Sequence, residues 1–359
     1  NCSADHPVSL FREDEMALLD DIRAVADLRV PERQPVFCLS QEFDAKYAGL
    51  TYRDYIASPE QVVAVQLEVM DAFGWDWAWL HLDDTLEFQA LGVGVAEGGE
   101  NVVPCTADYR DFDRETLASL RVPDPRSARM PLLLDAASGL RSAVGDTKCI
   151  TGRVAAPFSA VTLIFGMQPS MLMMIDDPQL FADALKFAEE QAISWGLAQI
   201  EAGCHAIWLG DCNASLHLIS PEHYRRWALE PCRRVTEAFQ AAGAFVFLHN
   251  SEERLAGLRL QAETHPDVLS VGPGLEISLA IEALRGRQAI MGNVDPIAML
   301  TDSSASEVAA EAGRQVRLMA GGGCILNSGE CVPREARREN MHAMADTARQ
   351  VWGIVGPRG

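Results

Sequence analysis

His205-Ala206-Ile207-Trp208-Leu209 is one short run, and Ala244-Phe245-Val246-Phe247-Leu248 is another. Between them, Pro221 to Ala242 alternates apolar and polar residues at helical spacing. Short runs that are apolar almost throughout suit parallel strands buried on both faces. A strand, an amphipathic segment and a second strand make a βαβ unit. The same pattern continues in both directions. Further runs lie at Pro35–Leu39, Trp77–Leu82, Cys149–Ala155, Val268–Val271, Ala289–Met291 and Gly323–Leu326. Pro59–Phe73, Pro178–Ala202 and Ser304–Met319 supply more helical segments. Eight strand-like runs predict an α/β fold closed into a (β/α)₈ TIM-type barrel, a single domain over 35–359.

Residues 1–34 are charged and helical in pattern. Met16, Leu18, Leu19, Ile22, Val25 and Leu28 share a face, which predicts an N-terminal helical extension lying across the barrel. The stretch Val93–Thr147 contains Pro123, Pro125 and Pro131 and reads as an irregular excursion over the barrel mouth.

The chain has 359 residues, 48% of them hydrophobic, ample for a large core without disulfides. Its formal charge of −21 argues against nucleic acid and anionic membrane surfaces, which need clustered Lys and Arg. Nine cysteines form no repeating frame, and the Asn1-Cys2 start shows no leader pattern. Both point to a reducing, cytoplasmic setting. No apolar stretch approaches the ~20 residues of a membrane span.

Chemistry in such barrels sits at the C-terminal ends of the strands. The polar residues there are Ser40 and Gln41; Asp83, Asp84 and Glu87; Asp211; His249, Asn250 and Ser251; Asn293 and Asp295; and Asn327, Ser328, Glu330 and Cys331. Taken singly, each is as well suited to capping a helix or forming a turn. Taken together, they mark a site.

Five stretches, in order, carry a family resemblance: Leu82–Gly92, Ala156-Pro157-Phe158-Ser159, Ile219-Ser220-Pro221 with Pro231, Gly292-Asn293-Val294-Asp295-Pro296, and Gly321–Met344. Together they resemble the uroporphyrinogen decarboxylase superfamily, from about Pro35 to the C-terminus. That superfamily has two chemistries: cofactor-free decarboxylation of uroporphyrinogen, and methyl transfer between a corrinoid and a thiol activated by zinc. The decarboxylase pattern at the first strand has two arginines, which here fall at Ser40 and Asp44. Its tyrosine falls near Leu163 and its last-strand histidine at Glu330; Asp83 alone is kept. A substrate bearing many carboxylates is therefore not expected. The methyltransferase branch resembles His-x-Cys plus a later cysteine, together holding zinc with one position open. Here His249 is kept, while the sulfur positions read Ser251 and Glu330.

Three readings of His249 stay open at this point. It holds zinc or another divalent ion with Glu330 and with Cys331 or Asp211. It does metal-free acid–base work with Glu330, with Asp83 and Glu87 as a second carboxylate pair. Or it is a hydrogen-bonded strand-end histidine. Cys331 is one residue from the ligand place, so a shifted turn would return it there. The resemblance implies a methyltransferase-like enzyme in which Asp83, Glu87, His249 and Glu330 are catalytic. Ser40, Gln41, Asp211, Ser251 and Asn293 would bind a small substrate. No cobalamin-binding Asp-x-His-x-x-Gly occurs, so the corrinoid would sit on a separate protein. Barrels of this family are often homodimers. The alternatives are a metal-independent decarboxylase or lyase on a small substrate, and a binding protein that has lost catalysis. Met167, Met171, Met173 and Met174 suit core filling or a soft wall for a corrin.

Overall fold

The computed structural model describes residues 18–96 and 99–357. Among them nine strands form: β1 (Trp77–Trp79), β2 (Gly94–Ala96), β3 (Cys105–Asp108), β4 (Cys149–Ala155), β5 (Ala206–Gly210), β6 (Phe245–His249), β7 (Val268–Ser270), β8 (Ala289–Asn293) and β9 (Cys324–Asn327). Seven make one sheet in the order β1-β4-β5-β6-β7-β8-β9, with every pairing parallel. β2 and β3 pair separately as an antiparallel hairpin.

The expected first strand, Pro35–Leu39, is reduced to one parallel bridge between Val36 and Leu326. Phe37 donates to the Leu326 carbonyl at 2.9 Å, and Asp76 donates to the Val36 carbonyl at 3.1 Å. This stretch thus joins β9 to the lead-in of β1 and closes the sheet into a barrel. A full ladder is prevented locally. Pro35 has no N–H to give, and the Val36 N–H is taken by the Asp76 carboxylate at 2.9 Å.

Aromatic rings fill the barrel interior. Phe37 stacks on Trp77 with centroids 4.3 Å apart, and Trp77 and Trp79 both meet Trp208 edge-on at 5.7 and 5.8 Å. The lumen is a packed core, as barrels of this size require. The rings also form the floor of the mouth above.

Helix ends follow their local chemistry. Pro59–Phe73 starts where the Ser58 side chain accepts the Gln61 N–H, and it stops at Gly74, whose φ of +67° suits glycine. The helix Ala305–Met319 carries a capping box between Ser304 and Glu307.

The Val93–Thr147 stretch is more ordered than expected. It holds the β2–β3 hairpin, a short helix Arg114–Ser119, and a 15-residue helix Met130–Val144 that packs on Pro59–Phe73. Pro131 falls in that helix's first turn, where proline is favoured rather than disruptive. Two helices absent from the sequence reading, Pro157–Phe165 and Met167–Asp176, follow β4 directly. Met174 is buried and Met171 and Met173 pack against the core, while Leu172 and Ile175 stay exposed.

The N-terminal helix, Leu18–Ala26, buries Leu18, Ile22 and Val25 completely. Arg23 lies over the Phe245 ring at 4.3 Å, at the start of β6, which sets this helix across the N-terminal end of the barrel. Met16 lies outside the described residues. Among the described residues, no single helix is long and apolar enough to cross a membrane.

Candidate functional site

In the β5–β6 register Trp208 pairs with Phe247 and Gly210 with His249. His249 therefore shares the lumenal face, and its ring stacks on Trp208 at 4.7 Å. The Nδ1 atom meets the Ser270 hydroxyl, at the end of β7, at 3.0 Å. That contact leaves Nε2 facing the mouth, 3.4 Å from Glu330 Oε1 and 3.3 Å from Ser251 Oγ. Ser251 has a φ of +51°, a left-handed turn that brings its hydroxyl back over His249. The same hydroxyl donates to Cys212 Sγ at 3.5 Å.

Burial alone would depress the basicity of His249. The Cys212 sulfur and the Glu330 carboxylate, both in hydrogen-bonding reach, outweigh it and push the pKa up to about 10. Burial works in the opposite sense on Glu330. The His249 charge and bonds from His249 and Ser251 nevertheless hold its carboxyl below the usual range. The two are a charge-assisted pair at the rim, with the Glu330 side chain 30% exposed.

Cys212 opens a short 3₁₀ turn, Cys212–Ala214, and is exposed. Asp211 builds that turn from behind. Its Oδ1 accepts from the Ser159 N–H at 3.2 Å and hydroxyl at 2.9 Å. Ser159 Oγ in turn accepts the Asn213 N–H, and the Asn213 amide donates to Thr162 Oγ1 at 2.6 Å. Asp211 is 1% exposed, and its Oδ1 is turned to Ser159 in the helix layer, one residue past the lumenal face. Burial pushes its pKa up to about 7, against the Ser159 bonds that lower it.

The end of β1 is arranged differently. Asp83 meets Arg129 through both oxygens, at 2.6 and 3.1 Å, and also accepts the Thr85 N–H and hydroxyl. Glu87 accepts the Ala155 N–H at 2.8 Å and lies 3.2 Å from Arg153 Nη1. Burial raises the Glu87 pKa, while Arg153 opposes it. The expected catalytic carboxylates are thus committed to buried pairs. Their neighbour Asp84 is the more open group. It meets Arg153 at 2.5 Å and His81 at 3.2 Å, which hold its carboxyl well below the carboxylate range despite burial.

Three other expected substrate contacts are buried, and two of them already have protein partners. Gln41 donates to Tyr52 Oη and to the Leu82 carbonyl. Asn293 donates to the carbonyls of Gly272 and Leu275 at 2.8 and 2.6 Å. Ser40 is buried at the start of the helix Gln41–Tyr47. Asp44 is buried too and accepts from Gln66 at 3.0 Å, so its charge is not presented to the mouth. Cys331 is exposed beside Glu330.

The structure therefore brings together His249, Ser251 and Glu330 and adds Cys212, Ser270 and Arg153. Arg153 was legible as a lone charge inside an apolar strand run, which demands a buried counter-ion. Ser270 was legible as the polar residue of its run. Cys212 carried no spacing signal. Its role comes from two neighbouring strand ends that are 37 residues apart in sequence. A zinc or other divalent ion needs three or more donors around one point. Among the described residues, no such group of His, Cys, Asp or Glu is found, so the expected set His249, Glu330 and Cys331 does not fit a metal.

Comparison with known proteins agrees with this architecture. The sequence profile described as uroporphyrinogen decarboxylase (URO-D) matches residues 19–351. The methylcobamide:CoM methyltransferase MtbA of Methanosarcina acetivorans is 23% identical over 321 residues, covering 89% of this chain and 93% of that protein. The uroporphyrinogen decarboxylase of Granulibacter bethesdensis is 28% identical over 305 residues, covering 82% and 86%. In three dimensions a methyltransferase from Methanosarcina mazei superposes with a TM-score of 0.85 at 21% identity, covering 93% of this chain and 99% of that one. This last likeness establishes the fold.

Proposed function

The chain belongs to the uroporphyrinogen decarboxylase (URO-D) family, a family of enzymes, and from that premise we propose that it moves a methyl group from a corrinoid-type donor to a sulfur or similar acceptor at the mouth around His249. One observation carries this reading: His249 stands at the end of β6 with Nε2 aimed at the mouth, next to a sulfur and a carboxylate. Such a group is a cation that can stabilise a nucleophile as it loses its proton and develops charge. The β1 corner supports the choice from the other side. Its arginines are consumed by Asp83, Asp84 and Glu87, leaving no free cationic fork for a substrate with many carboxylates. The corrinoid would arrive on a separate protein, because the barrel interior is filled by rings.

The test is methylcobalamin incubated with the purified chain and a small thiol, followed by the absorbance of the methyl–cobalt bond and by mass spectrometry of all sulfur products. Loss of that bond with methyl recovered on sulfur, slowed roughly 100-fold in H249Q, supports the reading. A methyl–cobalt bond that stays intact with protein and thiol both in excess overturns it.

A further inference from the structure

We propose that the sulfur accepting the methyl group is the chain's own Cys212. This rests on the methyl-transfer reading above and names its acceptor.

Metal-bound thiol chemistry would need donors that this mouth does not bring together among the described residues. An external thiol therefore lacks an anchor, whereas a thiol built into the wall needs none. Cys212 supplies it. Its sulfur is exposed at the mouth and receives the Ser251 hydroxyl at 3.5 Å, while the same Oγ lies 3.3 Å from His249 Nε2 as an acceptor. His249 is itself oriented, by Ser270 on Nδ1 and by Trp208 beneath the ring. Nucleophile, imidazolium and orienting group thus stand in sequence, an arrangement in which a neighbouring histidine cation activates a thiol. The Asp211–Ser159–Asn213 network fixes the turn that carries the sulfur. Cys38, Cys149, Cys204, Cys232 and Cys324 are buried, and Cys105 lies on the distant hairpin.

The thiol releases its proton to solvent at the exposed mouth, and the His249 cation, offset by Glu330, faces the sulfur as its charge develops. The sulfur pair attacks the methyl carbon, forming an S–C bond. The cobalt–carbon bond breaks heterolytically, and its pair stays on the metal, taking cobalt(III) to cobalt(I). A thioether methyl does not leave again without further activation, so uptake is one methyl per chain.

The experiment is methylcobalamin with the intact protein, without added thiol, followed by peptide mass spectrometry. One methyl is expected on Cys212, with Cys105 unmodified as the internal control. H249Q is expected to slow uptake roughly 100-fold, and C212S to abolish it. Methyl on Cys331 or Cys105 at an equal rate overturns the proposal. So does methyl recovered only on an added small thiol with Cys212 unmodified, an outcome that leaves methyl transfer itself standing. No transfer to any sulfur sinks the broader reading instead.

Discussion

Two corners of the barrel mouth hold nearly the same residue types and use them oppositely. At the end of β1, Asp83 and Glu87 are paired with Arg129 and Arg153 and fixed further by backbone N–H groups. At the ends of β6 and β9, His249 and Glu330 meet at 3.4 Å at a rim open to solvent. The first corner is saturated. The second keeps proton-holding capacity facing the mouth, next to an exposed sulfur. Buried ion pairs with every partner supplied hold a structure in register. Groups whose partners are fewer and longer are free to change partners in a reaction.

The largest effect should come from breaking the saturated corner. R153M strips the counter-charge from the buried Glu87, and removing one partner of a buried pair costs roughly 3–5 kcal/mol. The denaturation midpoint should fall accordingly. The double variant R153M/E87Q should recover most of that loss, because the buried Glu87 charge is gone and the Asp84 carboxylate left behind is exposed and keeps His81. If the double variant is no better than the single, the pair is not the source. Next in size, H249Q should slow methyl transfer roughly 100-fold while lowering the denaturation midpoint less than R153M does. A larger stability loss in H249Q than in R153M would reverse the assignment of the two corners.

How far the sequence revealed this division depends on what each residue contacts. Seven of eight strand runs form, because unbroken apolar runs have one good solution in a parallel sheet. Pro35–Leu39 fails as a strand through Pro35 and the Asp76 side chain, but it still closes the barrel. Strand-end position drew attention to Asp83, Glu87, Gln41 and Asn293, but position does not say which partner a side chain finds. Arg129 comes from the excursion, 46 residues past Asp83, and no local pattern announces that meeting. Asp211 turned outward because strand faces alternate, and one residue decides the side. Cys212 was invisible for the same reason that it matters: its neighbours are on another strand.

A third, smaller effect separates the support of the turn from its chemistry. The folded chain holds a proton on Asp211 up to about pH 7, whereas an unfolded carboxyl releases it near 3.8. Native protein then binds the Asp211 proton across that window, so the Asp211 contribution to stability falls as pH rises from about 4 to about 7 and changes no further above. Asp44, also pushed to about 7 by burial, acts in the same sense. D211N keeps an acceptor for Ser159 and should roughly halve the slope, measured by urea denaturation at several pH values across the window. An unchanged slope would place the proton elsewhere.

The smallest effect sharpens the comparison most. Ser270 is 1% exposed, and its hydroxyl holds His249 Nδ1 at 3.0 Å. Among the described residues it is the shortest of the His249 ring contacts in the open corner, whereas Asp83 has four such bonds. S270A removes one buried hydrogen bond, worth about 1 kcal/mol of stability. The loss should show as a lower urea midpoint at unchanged slope against denaturant. If Ser270 also aims the ring, methyl transfer should fall by more than that energy explains, and the His249 ring resonances in NMR should shift. S270T, which restores a hydroxyl, should return both. If the hydroxyl serves stability alone, the midpoint moves while the ring resonances and the transfer rate stay where they were, and the orientation of His249 then rests on the Trp208 stack.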